Sequence, residues 1–136
     1  MSFCVLDSSI ALSWVLPSES DASMSLLDDI TAKGALAPVL WPLEVANVLL
    51  MAERRRRITA IERSRALAWF AVLPVEIDHE APQRAWADIP ALAERHKLTV
   101  SDAAYLELAS RHGLPLATLD QDLAAAGRAE GLKVLA

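Results

Sequence analysis

Short apolar runs alternate with longer stretches in which apolar residues recur every three or four positions. The short runs predict five β-strands, at residues 3–6, 35–37, 75–77, 116–119 and 133–135. The longer stretches predict helices at residues 9–16, 20–33, 42–56, 59–71, 81–95 and 101–112, with a short helix after Asp120. Strands that alternate with helices are typical of βαβ units, so the pattern predicts an α/β fold with a parallel sheet.

Several residues mark where the predicted helices begin and end. Thr59 and Ser101 are predicted N-caps, and Glu62 stands three residues after Thr59 as the second member of a capping box. Gly34 and Gly113 stand where a left-handed residue would end a helix.

Length and composition fit one compact domain spanning residues 1–136, because the chain is 54% hydrophobic and contains no repeat or linker-like stretch. The longest stretch without a formal charge has 11 residues, well below the roughly 20 that cross a bilayer, so no membrane span is expected. The N-terminus shows no secretory signal, and the single cysteine, Cys4, cannot form an internal disulfide. Both observations favour the cytoplasm.

The net charge of −5 argues mildly against binding to nucleic acid through bulk electrostatics. Six of the 13 basic residues nevertheless fall between Arg54 and Arg65. The run Arg54 to Arg57 ends a predicted helix, where it can contact an RNA backbone or simply form a solvated face that favours the helix C-terminus. Both interpretations stay open.

Two acids follow predicted strands directly. Asp7 follows the first strand and Asp120 follows the fourth, and the carboxyl end of a parallel strand lies on the edge where open α/β folds bind ligands. Each position also suits an ordinary helix cap, made by Asp7 or Ser8 in one case and by Asp120 or Asp122 in the other. The sequence does not decide between capping and chemistry.

Two further acids open predicted helices. Glu44 and Asn47 are the polar side chains within the otherwise apolar residues 39–52, and their spacing puts them on one helical face. A helix that is apolar all round is mostly buried, so this polar notch needs a partner or a ligand, unless Glu44 only stabilises the helix N-terminus. Asp102 stands in a first helical turn, where an acid is favourable in any case.

Strand ends and helix N-terminal turns tend to meet at one edge of a parallel sheet, so the four acids are expected to converge. Carboxylates brought together repel one another and raise each other's pKa unless a cation neutralises them. Hard oxygen ligands select Mg²⁺ or Mn²⁺ over zinc, and Mg²⁺ is often completed by a substrate phosphate. The pattern therefore indicates metal-dependent phosphodiester chemistry.

Other common chemistries lack their motifs. The four glycines cannot form a dinucleotide-binding fingerprint or a P-loop, and no serine-hydrolase elbow is present. The three histidines show no zinc-binding spacing.

With these residues in view, the chain resembles the PIN-domain ribonucleases, and among them the VapC-type toxins of type II (VapBC) toxin-antitoxin systems. The resemblance runs in order through residues 5–14, 37–49, 98–109 and 113–123. It implies an acidic quartet of Asp7, Glu44, Asp102 and Asp120, supporting polar groups at Ser8, Asn47 and Thr118, and an auxiliary acid at Asp122. Asp7 and Asp102 would hold Mg²⁺ or Mn²⁺, Asp120 would complete the metal shell or a second site, and Glu44 would orient or deprotonate the attacking water.

The same resemblance implies a three-layer α/β/α sandwich around a parallel sheet of four or five strands, usually in a homodimer. It implies an endoribonuclease that inhibits translation or growth until a VapB-type antitoxin neutralises it. That antitoxin would insert a segment near the active site, in a heterotetramer or larger assembly.

Two rival classes remain. In the first, the acids are structural and the chain is a non-enzymatic PIN-like protein-interaction module. The second is a phospho-accepting receiver domain, which is disfavoured because Ser8 and Ser9, rather than a second acid, follow Asp7. The four tryptophans can stack on bases, but their apolar surroundings favour core or dimer-interface positions.

Overall fold

A computed structural model describes residues 2–17 and 24–136 of the chain. Its centre is a five-stranded sheet in the order β3-β2-β1-β4-β5, in which every pairing is parallel. The strands are β1 (Val5–Leu6), β2 (Ala35–Pro38), β3 (Val75–Asp78), β4 (Leu116–Ala117) and β5 (Val134–Leu135). The five predicted strands, the parallel sheet and the α/β/α architecture are confirmed.

Eight helices lie within the described residues. They are α1 (Ser8–Ser13), α2 (Met24–Lys33), α3 (Trp41–Arg54), α4 (Ala60–Val72), α5 (Ala81–Arg84), α6 (Asp88–His96), α7 (Val100–His112) and α8 (Gln121–Ala129). The first four residues of the helix predicted at 20–33 lie outside the described part. No helix in the described ranges combines the length and apolar character that crossing a membrane requires.

Most of the predicted helix ends are confirmed. The Thr59 side chain accepts from the Glu62 N–H, and the Glu62 side chain accepts from the Thr59 N–H, which completes the capping box. Gly34 and Gly113 have φ angles of 81° and 64°, which are favourable for glycine because it has no Cβ. The N-cap predicted at Ser101 is wrong.

The residue that caps α7 is Thr99. Its backbone is extended, and its hydroxyl accepts a hydrogen bond from the Asp102 N–H at 3.1 Å. The helix begins at Val100, so Ser101 already lies inside the first turn, where it cannot serve as the N-cap.

The single helix predicted at residues 81–95 is also wrong, because the structure has two helices there, α5 and α6. Ala87 separates them with φ −142° and ψ −68°, which is not helical. A proline inside a continuous helix would clash with the carbonyl of the residue four positions earlier, here Trp86. The break makes Pro90 the third residue of α6, in its first turn, where no N–H is needed.

Helix α7 lies at the centre of the packing. Residues 103–109 are buried, and the helix packs on β1, β2 and β4. The neighbouring helix α6 packs against α7, where Ile89 and Ala93 contact Ala103 and Ala104. The burial of α7 fixes the position of Asp102 in its first turn.

Near the other end of α7, Arg111 joins three carboxylates. It donates to Glu107 at 2.9 Å, to Asp78 at the end of β3 at 2.9 Å, and to Glu80 at 2.6 Å. The side chains of Arg111, Asp78 and Glu107 are only 15%, 10% and 6% exposed. Burial alone would raise the pKa of Asp78, but the hydrogen bond and charge of Arg111 outweigh it and hold that pKa below its usual range.

Replacing Arg111 with methionine keeps most of the apolar stem but removes the cation that hydrogen bonds to the Asp78 and Glu107 carboxylates. We expect R111M to lower the free energy of unfolding by about 3 kcal/mol at pH 7, measured by urea denaturation. The folded pKa of Asp78 lies below its unfolded value, so its stabilising effect is present at neutral pH and is lost as pH falls below about 4. The deficit of R111M should therefore shrink in acid.

The matched control is R65M, because Arg65 is exposed on α4 and no ion pair joins it to another described residue. Its stability should stay within about 0.5 kcal/mol of the wild type. Equal unfolding midpoints for R111M and R65M would contradict the role given to Arg111.

Candidate functional site

Asp7 lies directly after the central strand β1, and its side chain is buried. The Asp7 backbone N–H donates to the Ala117 carbonyl of β4 at 3.0 Å, and this bond fixes the Asp7 backbone beside the end of β4. Asp7 occupies the N-cap position of α1, yet its carboxylate makes no capping bond. Its Oδ2 instead accepts from the hydroxyls of Ser9 at 2.6 Å and Thr118 at 2.7 Å. Capping does not explain this side chain.

The two hydroxyls that bind Asp7 are themselves fixed by the end of β4. The Leu119 N–H donates to Ser9 Oγ, and the Asp120 N–H donates to Thr118 Oγ1, both at 3.0 Å. Thr118 is one of the three predicted supporting groups, whereas Ser9 was not among them. The orientation of Asp7 is therefore set by two elements that are distant in sequence.

Asp120 caps α8, as one of the two open interpretations predicted. Its Oδ1 accepts from the N–H groups of Asp122 at 2.9 Å and Leu123 at 3.1 Å. Both bonds use the same oxygen, so capping fixes the carboxylate and still leaves Oδ2 for another ligand. Asp122, the predicted auxiliary acid, is exposed.

Glu44 lies in the first turn of α3 and is half-buried. Its Oε1 accepts a hydrogen bond from the hydroxyl of Tyr105, a fully buried residue on α7. Ser8, one of the predicted supporting groups, lies near the same hydroxyl. Tyr105 was not predicted, although its position one turn after Asp102 on the same helical face was a usable signal.

The four acids lie within electrostatic range of one another. Burial is the main cause that raises the pKa of Asp7, Glu44 and Asp102. Repulsion from neighbouring carboxylates raises these pKa values further. The pKa of Asp7 is raised by Asp102 and Asp120. The pKa of Glu44 is raised by Asp7 and Asp102, and that of Asp102 by Asp120 and Asp122. The structure thus brings the four predicted acids together at the carboxyl edge of the sheet.

Among the described residues, no positive side chain forms an ion pair with this cluster. None of the ion pairs between described residues includes Asp7, Glu44, Asp102 or Asp120. Carboxylates that repel one another without a cationic partner favour an external cation.

The donor set fits a hard divalent cation, although the described side chains form no complete cage. Within residues 2–17 and 24–136, no three His, Cys, Asp or Glu side chains are arranged to hold a metal ion by themselves. Mg²⁺ retains several waters and commonly uses one or two carboxylates together with substrate phosphate, so it does not require such a cage. Carboxylate oxygens also disfavour softer metals.

Other predicted residues lie away from the acids. Asn47 is exposed, and no hydrogen bond joins it to the four acids in the part of the chain described. Arg54 to Arg57 are exposed at the far end of α3, about 15 Å along the helix axis from Glu44. Their two interpretations remain open.

The tryptophans divide into two groups. Trp41 is buried, and the rings of Trp14 and Trp69 pack edge to face with centroids 6.2 Å apart. Trp41 therefore belongs to the core, and Trp14 and Trp69 are partly buried against it, in agreement with the core interpretation, whereas Trp86 is 87% exposed. Trp41 also lines an apolar groove of about 310 Å³ between α3, α4 and β3, and none of the four acids reaches that groove.

The sheet and its acidic edge define an α/β protein with a candidate ligand site at the carboxyl ends of its parallel strands. The family model for the PIN domain matches residues 4–129, a range that includes all four acids, and the chain belongs to the PIN domain family. No curated protein sequence matches it significantly.

Solved structures share this fold. PAE2754 from Pyrobaculum aerophilum has a TM-score of 0.69 and 22% identity, covering 96% of this chain and 87% of that one. FitAcB from Neisseria gonorrhoeae has a TM-score of 0.63 and 16% identity, covering 97% and 96%. VapC20 from Mycobacterium tuberculosis, described as a Sarcin-Ricin loop cleaving toxin, has a TM-score of 0.54 and 20% identity, covering 90% and 94%. At these identities the likeness shows the fold.

The raised pKa of Asp7 predicts that its charge destabilises the metal-free protein. A carboxyl group with a folded pKa above its unfolded value binds its proton more tightly when folded, so stability falls as pH rises between the two values. We expect D7N, measured in EDTA by urea denaturation, to be about 1 kcal/mol more stable than wild type at pH 7. The difference should be close to zero at pH 3.5.

Asp28→Asn is the matched control, because Asp28 is exposed on α2. It should unfold like the wild type at both pH values. A D7N variant that is less stable than wild type at pH 7 would show that the charge of Asp7 does not oppose folding.

Proposed function

We propose that this chain is a Mg²⁺- or Mn²⁺-dependent endoribonuclease and a VapC-type toxin. The observation that carries the proposal is the cluster of Asp7, Glu44, Asp102 and Asp120, which has no cationic partner among the described side chains. Membership of the PIN domain family supports it. The structural neighbour VapC20 is described as a Sarcin-Ricin loop cleaving toxin, which supports the choice of RNA as substrate.

Asp7 and Asp102 are assigned to hold the ion, directly or through water, and Asp120 to complete its shell or a second site. Ser9 and Thr118 both donate to Asp7 Oδ2, so they orient Asp7 and leave Oδ1 available. The Asp120 cap similarly engages Oδ1 and leaves Oδ2. A bound ion would supply positive charge against the phosphodiester oxygens and lower the pKa of the attacking water.

Glu44 is assigned to orient that water and accept its proton. Its raised pKa makes the carboxylate a stronger base than an exposed glutamate. The water oxygen forms a bond to phosphorus while the bond from phosphorus to the 3′-oxygen breaks, and the 3′-oxygen then takes up a proton. The products would carry 5′-phosphate and 3′-hydroxyl ends, as the family resemblance implies.

We also propose the assembly and partner that the resemblance implies. Residues 1–136 would form one PIN domain that pairs as a homodimer, and a VapB-type antitoxin would bind it in a heterotetramer or larger complex. The support is that the family match and the structural likenesses extend over most of the chain.

Nearly isosteric amides test the metal-binding acids. We expect D7N and D102N to lower the rate of Mg²⁺-dependent RNA cleavage roughly a hundredfold or more, because each removes a negative oxygen from the proposed shell. Purified proteins would be compared on structured and single-stranded RNA, with Mg²⁺, with Mn²⁺ and with EDTA. EDTA should abolish cleavage by the wild type.

The exposed change Asp28→Asn should retain wild-type cleavage. If D7N and D102N cleave as fast as the wild type and EDTA has no effect, the acids are not catalytic. Absence of cleavage in every sample, with an intact complex between the chain and an antitoxin, would favour the protein-interaction module.

A further inference from the structure

We propose that Tyr105 is a positioning residue for Glu44, which it holds through a hydrogen bond between α7 and α3. The inference rests on the proposed function, because it concerns how the candidate base is oriented. Tyr105 is fully buried, and its hydroxyl donates to Glu44 Oε1. Ser8 interacts with the same hydroxyl.

The hydrogen bond between Tyr105 and Glu44 joins two of the elements that carry the acids. Tyr105 lies one turn after Asp102 on α7, and Glu44 lies in the first turn of α3. A change in the position of α7 is therefore transmitted to Glu44 through a hydrogen bond as well as through packing. The arrangement ties the candidate base to Asp102, one of the two candidate metal ligands.

Glu44 needs such an anchor because nothing else described holds its carboxylate. It forms no ion pair with a described residue, it is half-buried, and Asp7 and Asp102 repel it. Tyr105 hydrogen bonds to Oε1 of Glu44 and not to Oε2. We therefore assign Glu44 Oε2 to the attacking water. Burial and the nearby charge of Glu44 keep the Tyr105 hydroxyl protonated, so it remains a donor over the neutral pH range.

A tyrosine with only a structural role would not need this partner. A buried hydroxyl requires one acceptor, and a neutral backbone carbonyl would serve without placing a carboxylate among like charges. Here the acceptor is one of the four clustered acids, so the hydrogen bond serves the carboxylate as well as the hydroxyl.

The contact itself can be measured without activity, because Tyr105 is the only tyrosine in the sequence. A protein labelled with ¹³C at the tyrosine ζ-carbon should give one signal, and E44Q should shift it by removing the charge on the acceptor. Glu94→Gln, an exposed change on α6, should leave it in place. An unshifted signal in E44Q would overturn the contact.

The functional test is Y105F, which removes the hydroxyl and keeps the ring. We expect kcat for RNA cleavage to fall about tenfold, because a hydrogen bond to a charged group is lost. KM and the affinity for Mn²⁺, measured by calorimetry, should stay within about twofold, since neither RNA nor metal contacts are assigned to Tyr105. In an E44Q background, Y105F should cause no further loss, because Tyr105 acts through Glu44.

Full kcat in Y105F, or the same additional loss in E44Q, would overturn the role. Should Y105F fail to fold, the ¹³C signal of Tyr105 in E44Q still tests the contact, because an unshifted signal overturns the role of Tyr105 without the Y105F variant. A wild-type protein without metal-dependent cleavage would overturn the proposed function and this role together. An active wild type with an equally active Y105F would overturn only the role of Tyr105.

Discussion

The constraint on which the site depends is the burial of one carboxylate at the end of the central strand. Asp7 cannot leave the sheet edge, because β1 pairs with strands on both sides and the Asp7 N–H is bonded to β4. Two hydroxyl donors fix its orientation but do not neutralise its charge. Burial and nearby acids therefore oppose its ionisation, and the other three acids are arranged around this unbalanced charge.

Helix α7 shows that the chain can balance buried charge elsewhere. Near its C-terminal end, Arg111 satisfies Glu107 and Asp78 with hydrogen bonds and opposite charge. At its N-terminal end, Asp102 faces Asp120 and Asp122 without such a partner. The same helix thus carries a structural charge network at one end and a candidate binding site at the other. Unbalanced charge of this kind opposes folding and is typical of sites where function competes with stability.

The sequence predicted the sheet well because most of the strands are short apolar runs, and Asp7 and Asp120 directly follow two of the predicted strands. It could not decide whether Asp7 and Asp120 cap helices or form a site, since an aspartate is suited to either role. In the structure the Asp120 side chain caps α8, whereas the Asp7 side chain does not cap α1. Ser9 and Tyr105 were missed because their hydrogen bonds join elements that are distant in sequence. The break before α6 was predictable from Pro90, but helical periodicity on both sides concealed it.

The central claim is that the acidic edge of the sheet binds a divalent cation. The most direct measurement is the anomalous difference density of a crystal of the wild-type protein soaked in Mn²⁺. The account predicts a peak between the carboxylates of Asp7 and Asp102, with Asp120 beside it. Crystals that show Mn²⁺ only at other surface carboxylates, or show no peak at this edge at saturating Mn²⁺, would contradict it.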